Sequence, residues 1–384
     1  MNPLEGVSFK LTEEQQMIQQ LARDFARNEI APVAEHYDKN HEYPWSVVKK
    51  AQELGLTAMP VPEEYGGLGF NLFEEVLVAE ELAWGCSGVS TAIGVNSLAI
   101  LPILIAGNDD QKREYGGRMA EGQMAGYCAT EPEAGSDVAG IKTSAIQSGD
   151  EYIVNGSKMF ITGATVSDFY TVFAYTDPSQ RYNGMSCFII DRNWEGVSVG
   201  KPFDKMGQHA SDTAEVVFED VHVPKSHLLG AEGMGFMIAM QVFDRSRPST
   251  AAGALGVAQR ALDESVSYAK ERTTWGKPLW SHQVMGHMIA NMATELEAAR
   301  LLVWKSAWMV DAGERNTVAA AYAKAFAADT AMRITTDAVQ VFGGYGYMQE
   351  YPVEKLMRDA KIFQIYEGTS QMQYNIIVRE LFRK

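Results

Sequence analysis

The sequence predicts a multi-domain protein of mixed α and β structure. An N-terminal α-helical domain (residues 1–123) is followed by a middle antiparallel β-sandwich or barrel domain (124–233) and a C-terminal domain resembling a four-helix bundle (234–384). Three observations predict this plan. The first third carries apolar residues at helix spacing behind a capping box. From about Met124 to Gly233 the apolar runs become short, β-rich and punctuated by Gly, Asp, Asn and Pro. After Gly235 the helical period returns in long alanine-rich stretches with short connections, the pattern of an antiparallel bundle.

In order along the chain, Thr12-Glu-Glu-Gln15 is the capping box, and Met17, Ile18, Leu21 and Phe25 mark the stripe expected to face the core. Pro44-Trp45 opens a helix that stops near Gly55. Proline and glycine make residues 60–69 a loop, and Asn71 is the expected cap of a helix from Leu72 to Trp84. The strands include 152–154, 169–175, 187–190 and 214–218, with Ser148-Gly-Asp150 as a hairpin turn. Three helical stripes follow: Leu255, Ala258, Leu262, Val266 and Ala269; Met285, Met288, Met292, Leu296, Ala299 and Val303; and Val318, Ala321, Tyr322, Ala325 and Phe326. The methionines read as packing residues.

Composition narrows the function. A chain of 384 residues can bury large cores without cross-links. Its net charge of −16 repels nucleic acid and anionic lipid, although a local basic pocket for an anionic ligand is compatible with it. Cys86, Cys128 and Cys187 lie far apart with no Cys-x-x-Cys pair, which fits a reducing compartment. The longest apolar run, Leu98 to Ala106, contains Pro102, so no membrane span is expected. The first residues lack a basic segment followed by an apolar core, the pattern of a secretory signal. The expected location is the cytoplasm, or the mitochondrial matrix for a mature eukaryotic chain.

Several chemistries lack their motifs. Gly66-Gly-Leu-Gly69 and Gly343-Gly-Tyr-Gly346 do not have Rossmann context, and there is no Walker A sequence or Gly-x-Ser-x-Gly elbow. His282 and His287 are five apart and face different sides of a helix, so no metal is expected.

The C-terminal segment from Asp359 to Gln373 is the most informative. Glu367 sits between Tyr366 and Gly368 where an amphipathic segment breaks, and Gly368-Thr369-Ser370 begins another helix. This layout suits a proton-abstracting base beside an anion-binding helix start. A capping turn with a solvated glutamate has the same local pattern.

Four further segments accompany it. They are Tyr127-Cys-Ala-Thr-Glu-Pro-Glu-Ala-Gly-Ser-Asp137 with Met159-Phe-Ile-Thr-Gly163; Phe243-Asp-Arg-Ser-Arg-Pro248; Glu271-Arg-Thr-Thr-Trp-Gly-Lys277; and Gln340-Val-Phe-Gly-Gly344. In this order, on an α–β–α plan, they resemble the acyl-CoA dehydrogenase family over essentially the whole chain, the medium-chain and other straight-chain types most closely. The resemblance implies the acyl-CoA dehydrogenase fold, FAD as cofactor and desaturation of an acyl-CoA thioester: a base removes the C2 proton while flavin N5 accepts the C3 hydride. It implies a homotetramer and electron-transfer flavoprotein as electron acceptor.

By the same resemblance, Glu367 matches the catalytic base and its backbone N–H a donor to the thioester oxygen. Tyr127, Thr130, Gly135, Ser136, Phe160 and Thr162 match positions around the flavin, Phe160 standing where close relatives carry tryptophan. Arg272, Thr274, Trp275, Gln283, Gln340, Gly343 and Gly344 match the FAD contacts, those around Arg272 and Gly343 being supplied by a neighbouring subunit. Thr369 and Gln371 match contacts on the adenosine side. Ser136, Phe243, Asp244, Arg247, Tyr366, Gly368, Thr91 and Gly94 match substrate positions. Ser246 occupies the place where isovaleryl-type relatives carry an alternative catalytic glutamate.

The segment from Ala83 to Gly107 matches the wall of the acyl pocket and carries no charged residue, so a neutral acyl group without decarboxylation is expected. Gly94 replaces a pocket-floor glutamate of medium-chain relatives; it either widens the pocket or permits close helix packing. Two other readings share the motifs: an acyl-CoA oxidase, expected to be longer at its C-terminus, and a flavin-bearing relative repurposed for binding, expected to carry a basic C-terminal region.

Overall fold

The computed structural model describes residues 9–383, so the expectation about the first six residues lies outside it. The described chain begins with α1 (Glu13–Phe25), α2 (Ala34–Asn40), α3 (Trp45–Glu53), α4 (Leu72–Gly85), α5 (Ser87–Ala106) and α6 (Asp109–Ala120). Strands β1 (Ala125–Cys128), β2 (Ser144–Ser148), β3 (Glu151–Thr162), β4 (Phe169–Tyr175), β5 (Met185–Asp191), β6 (Val197–Val199) and β7 (Thr213–Pro224) follow. Then come α7 (Gly235–Glu271), a two-stranded ribbon of β8 (Thr273–Thr274) and β9 (Lys277–Pro278), and the helices α8 (Gln283–Asp311), α9 (Thr317–Phe342), α10 (Val353–Ala360) and α11 (Ser370–Leu381). The helical–β–helical architecture is therefore present.

The capping box forms as its spacing requires: Thr12 Oγ1 accepts from the Gln15 amide and Gln15 Oε1 from the Thr12 amide, each at 3.1 Å. The α1 stripe is shifted, however. Ala22 and Phe25 are buried while Met17 and Leu21 are exposed, because the core-facing side is set by what α1 packs on. Asn71 precedes α4 but its side chain makes no cap bond. Asp311, at the far end of α8, accepts instead from the amides of Leu72 and Phe73, each at 2.9 Å.

The sheet is antiparallel at β2–β3, β3–β7, β4–β5 and β6–β7, but β1 and β2 meet β4 in parallel. The expected all-antiparallel pattern fails at β4, since the β2–β3 hairpin intervenes before the chain returns alongside β1. Gly149, at φ 61°, makes the hairpin turn.

Helix α5 positions the site. Ala99, Ile100 and Ile103 pack with Phe169 and Phe173 of the sheet, and Val89, Ala92 and Ile93 pack with the N-terminal helices. As a twenty-residue helix without charge, it is long and apolar enough by length and composition to cross a membrane, contrary to the shorter run read from the sequence. Residues after Pro102 and before Leu98 join one helix because neighbouring elements hold it together; more than half of it is buried within the protein. Its positions 90, 91, 94, 97 and 98 stay partly open, a stripe at helical spacing along one side of the helix.

The bundle core joins Leu255, Ala258 and Leu262 of α7, Met292, Leu296, Ala299 and Val303 of α8, and Ala323, Ala327 and Ala331 of α9. Leu72 and Val76 of α4 belong to the same core. The third expected stripe is wrong in part: Tyr322 and Phe326 point outward. Alanine on nearly every side of α9 leaves its inward face undetermined by periodicity.

Candidate active site

Glu367 lies in a turn between α10 and α11, in left-handed backbone at φ 55°, followed by Gly368 at φ 83°. Such a conformation is uncommon for a residue with a side chain and requires holding by its surroundings. Lys324 Nζ donates to the Gly368 carbonyl at 2.5 Å, and Gln373 Nε2 donates to the Gly368 and Glu367 carbonyls at 2.9 and 3.3 Å. Thr369 caps α11, accepting from the Met372 amide at 3.1 Å. The segment is thus a capping turn, but its glutamate is not freely solvated. Ser246 Oγ on α7 donates to Glu367 Oε2 at 2.8 Å.

Burial raises the Glu367 carboxyl above the usual carboxylate range. The Ser246 hydrogen bond and the charges of Arg247 and Lys324 oppose that rise. The Tyr366 ring packs edge-on to Phe363 at 5.4 Å, and its hydroxyl receives Gln208 Nε2 at 3.3 Å while Thr91 approaches it. These contacts hold an aromatic wall beside Glu367.

Helix α7 presents Phe243, Asp244, Ser246 and Arg247 within two turns. Pro248 has no amide proton, so the Asp244 carbonyl loses its helical donor. Asn316 Nδ2 supplies a replacement at 2.7 Å, and Thr317 Oγ1 donates to the Asp244 carboxylate at 2.6 Å. Asp244 in turn meets Arg247 at 3.4 Å. Arg247 is buried over the Phe243 ring, 5.4 Å from its centroid, and its Nε has no partner. The Tyr127 ring stands 6.3 Å from Phe243, with its hydroxyl also unpartnered.

The loop after β1 holds a second cluster of polar contacts. Lys158 Nζ, fully buried, bonds Glu131 at 2.7 Å, and Glu131 also accepts from the amides of Lys142 and Thr143. Burial alone would raise the Glu131 carboxyl, but Lys158 and these donors bring it below its ordinary value. The Met159 amide bonds the Thr130 carbonyl at 2.9 Å, which ties Thr130 to the end of β3. There the β3–β7 register slips between Lys158 and Ile161, and Phe160, at φ 60°, turns outward with its ring 5.6 Å from Phe203. Phe160 is 64% exposed, Thr130 and Thr162 are partly open, and Gly135 and Ser136 are exposed. An aromatic pair beside polar groups and open backbone suits a flat ring with a polar edge, so these residues fit a flavin.

Gly94 decides between its two readings. A Cβ added there would meet no atom within 4 Å. The glycine does not serve helix packing; it leaves space beside Thr91 on the open stripe of α5.

The remaining expected cofactor residues form a separate group. Arg272 ends α7 and lies 6.0 Å from the Tyr345 ring; Thr274 Oγ1 meets His282 Nε2 at 2.9 Å, beside Gln283 at the start of α8. Trp275 is 89% exposed, and Gln340, Gly343 and Gly344 are exposed at the end of α9. Ser246 and the end of α7 are separated by 25 residues of helix, roughly 38 Å at 1.5 Å per residue. One chain does not bring this group to Glu367. Thr369 and Gln371, in contrast, adjoin the Glu367 turn.

Sequence reasoning missed Lys324, Gln373, Asn316 and the Glu131–Lys158 pair. The available signal for Lys324 was a lysine inside the alanine-rich stretch 319–328 of α9; Asn316 and Lys158 had none.

The chain matches models of the N-terminal, middle and C-terminal domains of acyl-CoA dehydrogenase over residues 12–123, 126–221 and 233–382. It is 44% identical over 377 residues to an acyl-CoA dehydrogenase of Bacillus subtilis (strain 168), covering 97% of this chain and 98% of the relative. It superposes on butyryl-CoA dehydrogenase from Megasphaera elsdenii with a TM-score of 0.95 at 43% identity, covering 98% of this chain and 100% of that one. A chain from the structure described as "Electron transferring flavoprotein of Acidaminococcus fermentans: Towards a mechanism of flavin-based electron bifurcation" gives a TM-score of 0.96 at 46% identity, covering 98% of this chain and 100% of that one. With three domains matched in order and nearly the full length shared, the chain belongs to the acyl-CoA dehydrogenase family of FAD-dependent oxidoreductases.

Proposed function

We propose that this enzyme desaturates a neutral acyl-CoA thioester between C2 and C3, with Glu367 as the base. The observation that carries the reading is a carboxylate lifted by burial and held by Ser246, beside a wall formed by Tyr366. The C2 proton passes to Glu367 as the C2–C3 double bond forms and the hydride leaves C3. FAD, when bound, supplies the acceptor for that hydride. Glu367 also contributes its backbone N–H toward the thioester oxygen, where negative charge develops. The aromatic wall limits water at the base. The uncharged segment 87–106 and the space at Gly94 support a neutral acyl group larger than a pocket-floor glutamate would admit.

The distance between the Glu367 and Arg272 groups supports a site completed by a second copy of the chain, as in the homotetramer the family resemblance implies. We propose electron-transfer flavoprotein as the acceptor of the electrons, and a reducing compartment, cytoplasm or matrix, suits the three buried free thiols. The test is a panel of straight, branched, cyclic and aryl-substituted acyl-CoA thioesters, read by bleaching of the flavin. Glu367→Gln should bind them without bleaching, losing roughly 10²–10⁴-fold in rate. Bleaching by E367Q at the wild-type rate would overturn the proposal. Stoichiometric peroxide formation during turnover would favour an oxidase.

A further inference from the structure

We infer that Lys324 is a positioning residue for Glu367: from α9 it holds the Gly368 carbonyl, and with it the left-handed Glu367–Gly368 turn, while placing a positive charge beneath the carboxylate. This rests on the reading of Glu367 as the base.

Lys324 has no exposed surface, and a buried ammonium needs both hydrogen bonds and opposite charge. Its 2.5 Å bond to the Gly368 carbonyl supplies the first. Glu367 supplies the second, while Arg247 of α7 opposes it and Asp329, on α9 itself, adds to it. Asp329 is already engaged on the far side of the turn: Gln364 Nε2, Ser370 Oγ and Tyr374 Oη reach its carboxylate at 2.6, 3.0 and 2.9 Å. Five residues apart, Lys324 and Asp329 therefore bracket the segment that carries the base.

Gln373 completes the clamp. It is fully buried, and its Nε2 shares the Gly368 carbonyl with Lys324. A Cβ on Gly368 would come within 2.6 Å of that nitrogen, so the clamp also explains the glycine. Gln373 has the geometric part of the role without charge; Lys324 has both parts. Lys324 lowers the Glu367 carboxyl from where burial would put it, and burial pushes Lys324 itself down to about 8.

The two parts separate experimentally in the FAD-loaded enzyme. Lys324→Gln removes the charge and keeps a donor, Lys324→Met removes both, Lys324→Arg keeps the charge, and Gln373→Leu loosens the clamp alone. Two quantities are read: the acid limb of kcat/KM, and an infrared titration of the Glu367 carboxyl assigned by subtraction of E367Q. K324Q should move both midpoints up by about one pH unit, a tenfold loss of ionised base below the midpoint. K324R should return them toward the wild-type position. Q373L should lower plateau kcat severalfold with the midpoints unmoved and KM little changed. K324M should combine the two effects; if it does not accumulate folded, K324Q and Q373L decide. Wild-type midpoints in K324Q would overturn the charge assignment, and a wild-type plateau in Q373L the clamp. If E367Q retains turnover, the base reading falls, while the infrared midpoint still reports whether Lys324 governs that carboxyl.

Discussion

Ser246 and Glu367 are 121 residues apart in sequence and 2.8 Å apart in space, the serine hydroxyl donating to the carboxylate. The bond stabilises the ionised form, against the larger effect of burial. Ser246→Ala should therefore raise the carboxyl further and shift the acid limb of kcat/KM upward. A hydrogen bond to a charged group contributes about 1.5–3 kcal/mol. The expected loss is roughly ten- to a hundredfold below the limb and small at alkaline pH, checked by a pH profile with flavin content held equal.

Gly94 stands beside empty space on α5. Gly94→Glu should reduce kcat/KM for long, branched and aryl thioesters by tenfold or more relative to butyryl-CoA. Gly94→Ala should leave the ranking intact and raise stability by up to about 1 kcal/mol, because glycine is a poor helix former. Competition assays and thermal melts read the two outcomes.

The Arg272 group lies at the far end of α7 from Ser246, the serine that holds Glu367. Arg272→Glu and Glu367→Gln should each be inactive alone. Co-expressed, the two chains should recover a fraction of wild-type activity, because one mixed site combines an intact Glu367 with an intact Arg272. Recovery in purified mixed oligomers checks this; no recovery would mean that each site draws both groups from one chain.

Glu75 on α4 is buried, and burial pushes its carboxyl up to about 8. Asp311 adds to that rise, while Ser97 and Arg245 oppose it. A raised folded-state value above an unfolded value near ~4.3 means that the folded chain binds the extra proton between them. Stability from this group is present below about pH 4 and is lost as pH rises to about 8, by up to about 1.4 kcal/mol per unit. Glu75→Gln should flatten that dependence and make the variant more stable than wild type at pH 8. Melting temperatures of the holoenzymes across pH 5–9 read the difference.

Local signals were read well where their partners were local. The capping box at Thr12 and the hairpin at Gly149 form among neighbouring residues, so spacing alone specified them. Asn71 had the same local signal for α4, but Asp311 occupies its role from 239 residues away. The outward face of α9 at Tyr322 and Phe326 escaped periodicity because small residues surround that helix.

By itself the sequence determined the order of helical and β regions, the uncharged stretch that becomes α5 and the glutamate–glycine turn at Glu367, since these depend on residue type and short spacing. The tertiary structure alone decided that Lys324, Gln373 and Ser246 hold that glutamate, that Gly94 opens space, and that Arg272 lies at the far end of α7. Each of these rests on burial and on contacts between distant segments, whose energies come into being only when the helices and the sheet have packed together.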